Sequence, residues 1–246
     1  LREASNSAAL VELIKKKTNI SVDVISGEKE AQYAAQGILL GFPNAEGMIC
    51  DLGGNSVEFA NIRKNMITDC NSALLGPLTI KKLEGEFENL GRYIQRQLST
   101  AIDVNRIKDK SFFLIGGSWR AIAKIHMQRT KYPLKMIQGY KVASKKLKKT
   151  LEFIQDSSFV TRYDEMNISL ERLELLPQSA HLLEIMIDEL QIKALTFSSF
   201  GVREGLIYQH LSEVEKKKDP LIEAAKFFEK KESRFPKMSK QVFKWI

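Results

Sequence analysis

The segment 47–59, GMICDLGGNSVEF, contains the residues best suited to phosphate chemistry. It reads as a buried apolar strand ending at Asp51, a turn over Gly53 and Gly54, and a second acid, Glu58, that enters another strand. Glycines let backbone N–H groups converge on an anion, because no Cβ stands in the way. Carboxylates can hold a hard divalent cation against the same phosphate, usually through water. The pattern is equally typical of an ordinary tight hairpin with solvent-facing acids, and the segment alone leaves both interpretations open.

Three other segments carry patterns that suit anion binding or catalysis. Upstream, Ser26 predicts the N-cap of a helix whose first turn carries Glu28 and Glu30. Acids in a first turn ordinarily complement the helix dipole and do nothing else. The segment 112–118, FFLIGGS, predicts a strand running directly into a helix, which gathers backbone donors at one point. The fourth segment is 197–206, FSSFGVREGL.

In this order, the four segments resemble the exopolyphosphatase / guanosine pentaphosphate phosphatase (Ppx/GppA) family of the sugar kinase–Hsp70–actin superfamily. The resemblance extends from about Leu1 to about Leu211. It implies an α/β fold with an actin-like, ribonuclease H-like mixed sheet flanked by helices. The alternation of strand and helix patterns along the chain, among them a predicted strand over 20–25 and a predicted helix over 142–154, independently indicates an α/β fold with a largely buried sheet.

The resemblance also implies roles for individual residues. It places Glu30 at the family's catalytic glutamate, and it favours ligand contact at the Gly-Gly turn that follows the strand 112–115. With the chemistry of the first segment, the expected site comprises a catalytic residue, Glu30; phosphate-binding residues Gly53, Gly54, Asn55 and Ser56; Mg²⁺-binding residues Asp51 and Glu58; and nucleotide or polyphosphate contacts Gly116, Gly117, Ser118 and Arg120.

A group of lysines adds a possible contact for a long substrate. The group, here called the lysine stripe, recurs at the spacing of one helix face and consists of Lys141, Lys145, Lys148 and Lys149. A polyanion several phosphates long could lie along it, gaining affinity through counterion release. A solvated helix face that happens to be rich in lysine is the alternative.

The expected activity is hydrolysis of a terminal phosphoanhydride with Mg²⁺, releasing orthophosphate from inorganic polyphosphate. One alternative is a phosphohydrolase that converts pppGpp to ppGpp. The other is a non-catalytic actin-like module that binds a nucleotide or phosphate. Polyphosphate or pppGpp is therefore the expected partner, and a homodimer is compatible with the sequence.

The chain departs from the family pattern in three places. The first phosphate loop of the family, Asp-x-Gly-Ser-Asn-Ser, is absent from this sequence, so we expect half of a two-lobed site. The expected organisation is a remnant of a first actin-like domain over 1–40, a second actin-like domain over 41–215, and a basic helical tail over 216–246. Lys29 replaces the first of two usual acids, and Asn55 stands where a third glycine is common.

The amino-acid composition limits the classes of protein to which the chain could belong. The 246 residues are 43% hydrophobic and 28% charged, which suits a globular protein with one or two cores. No apolar run approaches the roughly 20 residues of a membrane span. Residues 216–246 hold ten Lys or Arg against four Asp or Glu, most of the net charge of +8, which argues against a dedicated nucleic-acid binder. Cys50 and Cys70 form no metal-ligand pair and suit buried thiols in a reducing cytoplasm.

Overall fold

The structure, a computed structural model, describes residues 2, 4–84, 89–103, 107, 111–156 and 168–232. Six strands form one mixed sheet: β1 (Gly47–Leu52), β2 (Val57–Arg63), β3 (Met66–Ala73), β4 (Ser111–Ile115), β5 (Tyr140–Ala143) and β6 (Ala194–Phe197). Their order across the sheet is β3-β2-β1-β4-β6-β5. Strands β1, β4 and β6 run parallel, whereas β2, β3 and β5 each run antiparallel to a neighbour.

Helices cover both faces of this sheet. They are α1 (Ser7–Thr18), α2 (Gly27–Gly41), α3 (Pro77–Leu83), α4 (Leu90–Ala101), α5 (Gly117–Arg129), α6 (Ser144–Gln155), α7 (Leu170–Leu173), α8 (Leu176–Glu189), α9 (Val202–Gln209) and α10 (Pro220–Glu232). In the described part of the chain, none of them combines the length and the apolar character needed to cross a membrane.

Each face of the sheet buries its own apolar cluster. Successive side chains of a strand point to opposite faces, so Cys50 joins the larger cluster while its neighbour Ile49 joins the smaller one. The larger cluster includes the fully buried Trp119 of α5. The smaller one is formed mainly with α2, which contributes Ala34 and Ile38. This alternation decides which polar side chains of β1 and β2 end beneath α2.

Helices α2 and α9 pack backbone to backbone. A Cβ on Gly37 would lie 2.1 Å from the carbonyl oxygen of Gly201, and a Cβ on Gly205 would lie 1.8 Å from that of Tyr33. Glu204 caps α9 at the same point, because its carboxylate accepts a hydrogen bond from the Gly201 N–H at 2.8 Å. The glycine spacing of the segment 197–206 is therefore explained by helix packing.

The structure confirms the predicted α/β fold and the N-cap at Ser26, whose side chain accepts a hydrogen bond from the Lys29 N–H. Two local predictions were wrong. The alternating segment 20–25, predicted as a strand, pairs with no strand among the described residues, and Ile20 is 62% exposed. Without a neighbour to satisfy its backbone groups, the alternation alone did not make a strand.

The other correction concerns the region after Gly139. The sequence predicted one helix over 142–154, but β5 occupies Tyr140–Ala143 and α6 begins only at Ser144. Tyr140 pairs with Phe197 in β6 and stacks on its ring at 5.9 Å between centroids. A four-residue edge strand is stabilised by this tertiary contact, which local sequence does not display.

We expect Gly205→Ala to destabilise the protein by about 1–3 kcal/mol, because the added methyl group has to displace the backbone of α2. At this chain length, each kcal/mol corresponds to a fall in Tm of about 2–4 °C. Thermal denaturation followed by circular dichroism measures the change. The matched control is Gly91→Ala in α4, where the nearest atom to the new Cβ lies 3.8 Å away. Equal Tm values for the two variants would show that the α2–α9 contact is not tight.

Candidate active site

Asp51 and Glu58 are direct cross-strand partners in the β1–β2 ladder. Their neighbours Cys50 and Phe59 belong to the larger apolar cluster, whereas Ile49 and Ala60 belong to the cluster under α2. Since side chains alternate between faces, both carboxylates lie on the face that α2 covers. The β1–β2 register therefore places the two acids side by side on adjacent strands, beneath α2.

Helix α2 brings a third carboxylate to this place. Glu30 lies in its first turn, directly after the Ser26 cap. Arg2 joins the elements: one of its terminal nitrogens, Nη2, lies 3.2 Å from Glu30 Oε2 and 3.1 Å from Glu58 Oε1. Its other nitrogen donates to the carbonyl oxygen of Ile25 at 3.4 Å. The guanidinium thus bridges two of the three acids.

Glu58 is held more firmly than the other two acids. Its side chain is 1% exposed. Besides Arg2, Oε1 accepts hydrogen bonds from the hydroxyls of Ser56 at 2.6 Å and Ser72 at 3.0 Å. Ser72 is the cross-strand partner of Glu58 on β3, so the row of polar side chains extends across three strands. These contacts fix the rotamer of Glu58 before any ligand arrives.

Burial, together with neighbouring negative charge, raises the pKa values of Asp51 and Glu58. Burial is the main cause of the rise in the pKa of Asp51, from 3.8 to about 7, and the charges of Glu58 and Glu30 add to it, while Arg120 opposes it. Burial also raises the pKa of Glu58; the hydrogen bond from Ser56 opposes the rise, and the charge of Glu30 strengthens it. Clustered carboxylates of this kind are typical of functional sites.

The turn after β1 is fixed by hydrogen bonds to its carbonyl oxygens. Those of Gly54 and Asn55 accept the N–H groups of Leu78 and Gly76 at 2.9 Å each. Asn55 also accepts the Thr79 hydroxyl at 2.8 Å. Because α3 holds the carbonyl side of the turn, its N–H side is left for a ligand.

Two groups expected to bind phosphate are already engaged. The Gly53 N–H donates to the carbonyl oxygen of Ser56 at 3.0 Å, and the Ser56 hydroxyl donates to Glu58. In this structure the Gly53 N–H closes the turn, and the prediction that it binds phosphate stays a prediction. Gly54 and Asn55 retain N–H groups that donate to no partner among the described residues.

A cavity of about 240 Å³ lies beside this turn, lined in part by Gly53, Gly54, Gly117 and Ser118. The predicted Gly-Gly turn is therefore adjacent to the first: a Cβ on Gly116 would lie 2.6 Å from the carbonyl oxygen of Leu52.

Arg172 lines the far side of that cavity, beside the acid Glu171. The guanidinium of Arg172 covers Gly117, with its carbon 2.9 Å from where a Cβ would stand. Arg172 also borders a smaller cavity of about 120 Å³, together with Arg120 and Lys124. Arg120 donates to the carbonyl oxygen of Ser199 at 3.3 Å. The site thus has acids on the β2 side and cations on the Gly117 side.

The lysine stripe does not reach this site. Strand β5, which carries Lys141, lies three strands from β1 in the sheet. It runs antiparallel to β6, so α6 begins at the edge opposite to the end of β1. Lys148 is paired with Asp188 at 2.5 Å. Lys145 and Lys149 are exposed.

Sequence reasoning missed three residues of the site: Arg2, Ser72 and Arg172. Arg2 and Ser72 lie far from Glu58 in sequence and reach it only through the fold. The alternation of β3 could have placed Ser72 on the face of Glu58, once the hairpin register was known. No local pattern distinguishes Arg172 from other arginines.

The site fits a divalent cation shared with a substrate better than a metal held by protein alone. No group of three or more His, Cys, Asp or Glu within the described ranges is arranged to hold a metal ion. Mg²⁺ is typically bound by one or two carboxylates together with water and phosphate oxygens. Asp51, whose pKa is raised by burial and by neighbouring negative charge, is the side chain that such a cation would stabilise most.

The sheet and its acidic cleft beside a glycine turn define an α/β protein of the actin-like class. A sequence model of the Ppx/GppA phosphatase family matches residues 1–214, and the chain belongs to that family. It is 24% identical over 214 residues to guanosine-5'-triphosphate,3'-diphosphate pyrophosphatase from Aeromonas salmonicida. The matched region covers 85% of this chain and 42% of that protein. The chain therefore spans less than half the length of this relative.

Solved structures of the family show the same fold. An exopolyphosphatase from Cytophaga hutchinsonii superposes with a TM-score of 0.73 at 21% identity, over 85% of this chain and 71% of that one. A Ppx/GppA phosphatase from Aquifex aeolicus gives a TM-score of 0.67 at 18% identity, over 86% of this chain and 72% of the other. The actin-like fold expected from the sequence is thereby confirmed.

We expect Asp51→Asn to stabilise the protein at pH 8 in the absence of divalent cations. A carboxyl whose pKa is raised on folding, here to about 7, stabilises the folded protein less as the pH rises from about 4 to 7, because the folded state retains a proton that the unfolded state loses. The Tm difference between variant and wild type should therefore shrink as the pH falls from 8 to 5. Differential scanning calorimetry in EDTA measures it.

Mg²⁺ should act on the same group. At pH 8 it should raise the Tm of the wild type and leave that of Asp51→Asn nearly unchanged, and at pH 5 it should affect neither. Asp23→Asn, on the exposed segment before α2, is the control and should follow the wild type. If the Tm difference between Asp51→Asn and the wild type did not change with pH, Asp51 would not be the group whose pKa is raised.

Proposed function

We propose that the protein hydrolyses a terminal phosphoanhydride and releases orthophosphate. The observation that carries this proposal is the convergence of Glu30, Asp51 and Glu58 beside the Gly54–Asn55 N–H groups. Backbone donors suit the oxygens of a phosphoryl group. Acids at the same place suit a cation and the activation of water. Membership of the Ppx/GppA phosphatase family supports the reaction class.

In this mechanism Glu30 orients the attacking water and accepts its proton. Its ion pair with Arg2 holds the carboxylate at the mouth of the site. The N–H groups of Gly54 and Asn55 bind the oxygens of the phosphoryl group that is attacked. The guanidinium of Arg2 also lies close enough to Glu58 to share in balancing the charge of the incoming phosphate.

Asp51 would hold Mg²⁺ directly or through water, with Glu58 as its neighbouring acceptor. Bound there, Mg²⁺ would neutralise charge on the phosphate oxygens. Glu58 uses Oε1 for Arg2, Ser56 and Ser72, so its other oxygen is the one left for the cation or its waters. The serine hydroxyls keep that oxygen directed toward the site.

The distribution of charge suggests how the substrate lies. The acids are on the β2 side, whereas Arg120, Lys124 and Arg172 line the cavities on the Gly117 side. We propose that the terminal phosphate reaches the acids while the remaining phosphates lie toward the three cations. Inorganic polyphosphate is the substrate we favour, because these cavities present cations and small residues.

A pppGpp phosphohydrolase is the second candidate, since a curated relative bears the name guanosine-5'-triphosphate,3'-diphosphate pyrophosphatase. The cavity beside Arg172 would then accept part of the nucleotide. Both free cysteines support a cytoplasmic location, where such substrates occur in a reducing environment. Phosphate release from polyphosphate and from pppGpp, compared under Mg²⁺, decides between the two.

In a protein that carries both lobes of the site, we expect Glu30→Gln to lower kcat by about 10²–10⁴-fold while KM changes little, because the amide cannot accept the proton of the attacking water. Phosphate release under steady-state conditions measures both constants. Glu28→Gln is the matched control, since Glu28 lies on the same first turn but is exposed. A Glu30→Gln variant that retains more than about half of the wild-type kcat would exclude Glu30 as the base.

The lysine stripe gives a prediction about substrate length. Its two exposed α6 residues lie away from the site, so only a long chain of phosphates could touch both places. Replacing Lys145 and Lys149 with Gln should raise KM for long-chain polyphosphate, most strongly at low salt, and leave pppGpp unaffected. The control is Lys15→Gln with Lys16→Gln on the exposed end of α1. An equal change in KM for both substrates would indicate that these lysines only form a solvated helix face and do not bind polyphosphate.

A further inference from the structure

A third cavity lies on the opposite side of α2 from Glu30. It has a volume of about 380 Å³ and is formed by α2, the turn between β2 and β3, and the chain that follows α9. Its α2 residues include Gln32, Gln36 and Leu39. Around a helix of 3.6 residues per turn, these lie between about 120° and 180° away from Glu30. The cavity is thus separate from the candidate active site, and its volume is within the range of ligand sites.

Two glutamines that line this cavity use their amide oxygens as acceptors within the protein. Gln32 Oε1 accepts from Lys29 Nζ at 2.9 Å. Because a lysine can only donate, this contact fixes the amide orientation and leaves the Gln32 NH₂ free. Gln36 Oε1 accepts from Gln209 Nε2 at 3.0 Å, so in this arrangement of the two amides the Gln36 NH₂ has no partner among the described residues. Two amide donors therefore line one wall.

The facing wall is cationic. Lys216 and Lys217 line the cavity with Tyr208. Glu213, the one acid of the lining, is already paired with Lys216 at 2.8 Å. Lys216 also lies over the ring of Tyr208, 5.3 Å from its centroid. Lys217 is exposed, and its charge also acts on Glu213; with two lysines and one acid, the lining has a net charge of one positive unit.

From these contacts we infer that the cavity binds a small multivalent oxyanion, such as a pyrophosphate or a phosphorylated metabolite. Its phosphate oxygens would accept hydrogen bonds from the two glutamine NH₂ groups and from Lys217. Charge-assisted hydrogen bonds from lysine are stronger than neutral ones. This site goes beyond the hydrolysis proposed above, and it stands or falls independently of that reaction.

Equilibrium dialysis with radiolabelled pyrophosphate in EDTA tests the inference. Without divalent cations the acids of the candidate active site disfavour a bound anion, and the variants below separate binding in this cavity from any binding that remains beside Arg172. We expect Lys216→Gln with Lys217→Gln to weaken binding at least about tenfold. Gln36→Glu, which places a carboxylate in the cavity without altering the lysines, should abolish binding. Circular dichroism melting curves verify that both variants fold.

Two controls distinguish binding in this cavity from binding elsewhere on the protein. Lys230→Gln with Lys231→Gln, an exposed pair on α10, removes the same charge and should leave binding within about twofold of the wild type. Arg172→Gln measures any pyrophosphate held beside the candidate active site, and most of the binding should remain in this variant if the inferred cavity is the main site. Absence of binding by the wild type, equal losses in the two lysine pairs, or a loss confined to Arg172→Gln would each overturn the inference.

Discussion

The rest of the site depends on the direct opposition of Asp51 and Glu58 in neighbouring strands. Their separation is set by the β1–β2 register, so the repulsion cannot be relieved without shifting every apolar residue of the hairpin to the wrong face. The protein instead offsets it locally, through Arg2, Ser56 and Ser72 at Glu58. Asp51 receives less compensation, and its pKa rises to about 7. A site that is strained in this way gains stability when a cation arrives.

The position of Glu30 follows from a different constraint, the contact of α2 with α9. The helices approach closely enough that glycine is required at positions 37 and 205. Since α2 begins at the Ser26 cap, fixing the helix also fixes the direction of its first turn over the sheet. The segment 197–206 therefore contributes to the site indirectly. Its glycines allow the close α2–α9 contact, and this contact fixes the helix that carries Glu30.

The sequence was most informative where a local pattern has one structural meaning. The apolar strand, glycine turn and acid of 47–59 became β1, a turn and β2, and Ser26 capped a helix. It was misleading at 20–25, because alternation shows that a segment can pair but not that a partner is present. Arg2 and Arg172 were missed for a related reason. Their importance lies in what the fold places beside them, and neither spacing nor periodicity records that.

Charge on both sides of the glycine turn limits what the site can accept. A neutral ligand would leave Asp51 and Glu58 opposed and would gain little from Arg172. An anion alone would meet three carboxylates. A substrate that brings a cation with its terminal phosphate satisfies both sides at once, because the cation compensates the acids while further phosphates compensate the arginines. A Mg²⁺-bound polyphosphate or nucleoside polyphosphate has that distribution of charge, and we therefore propose these substrates rather than a simple phosphate monoester.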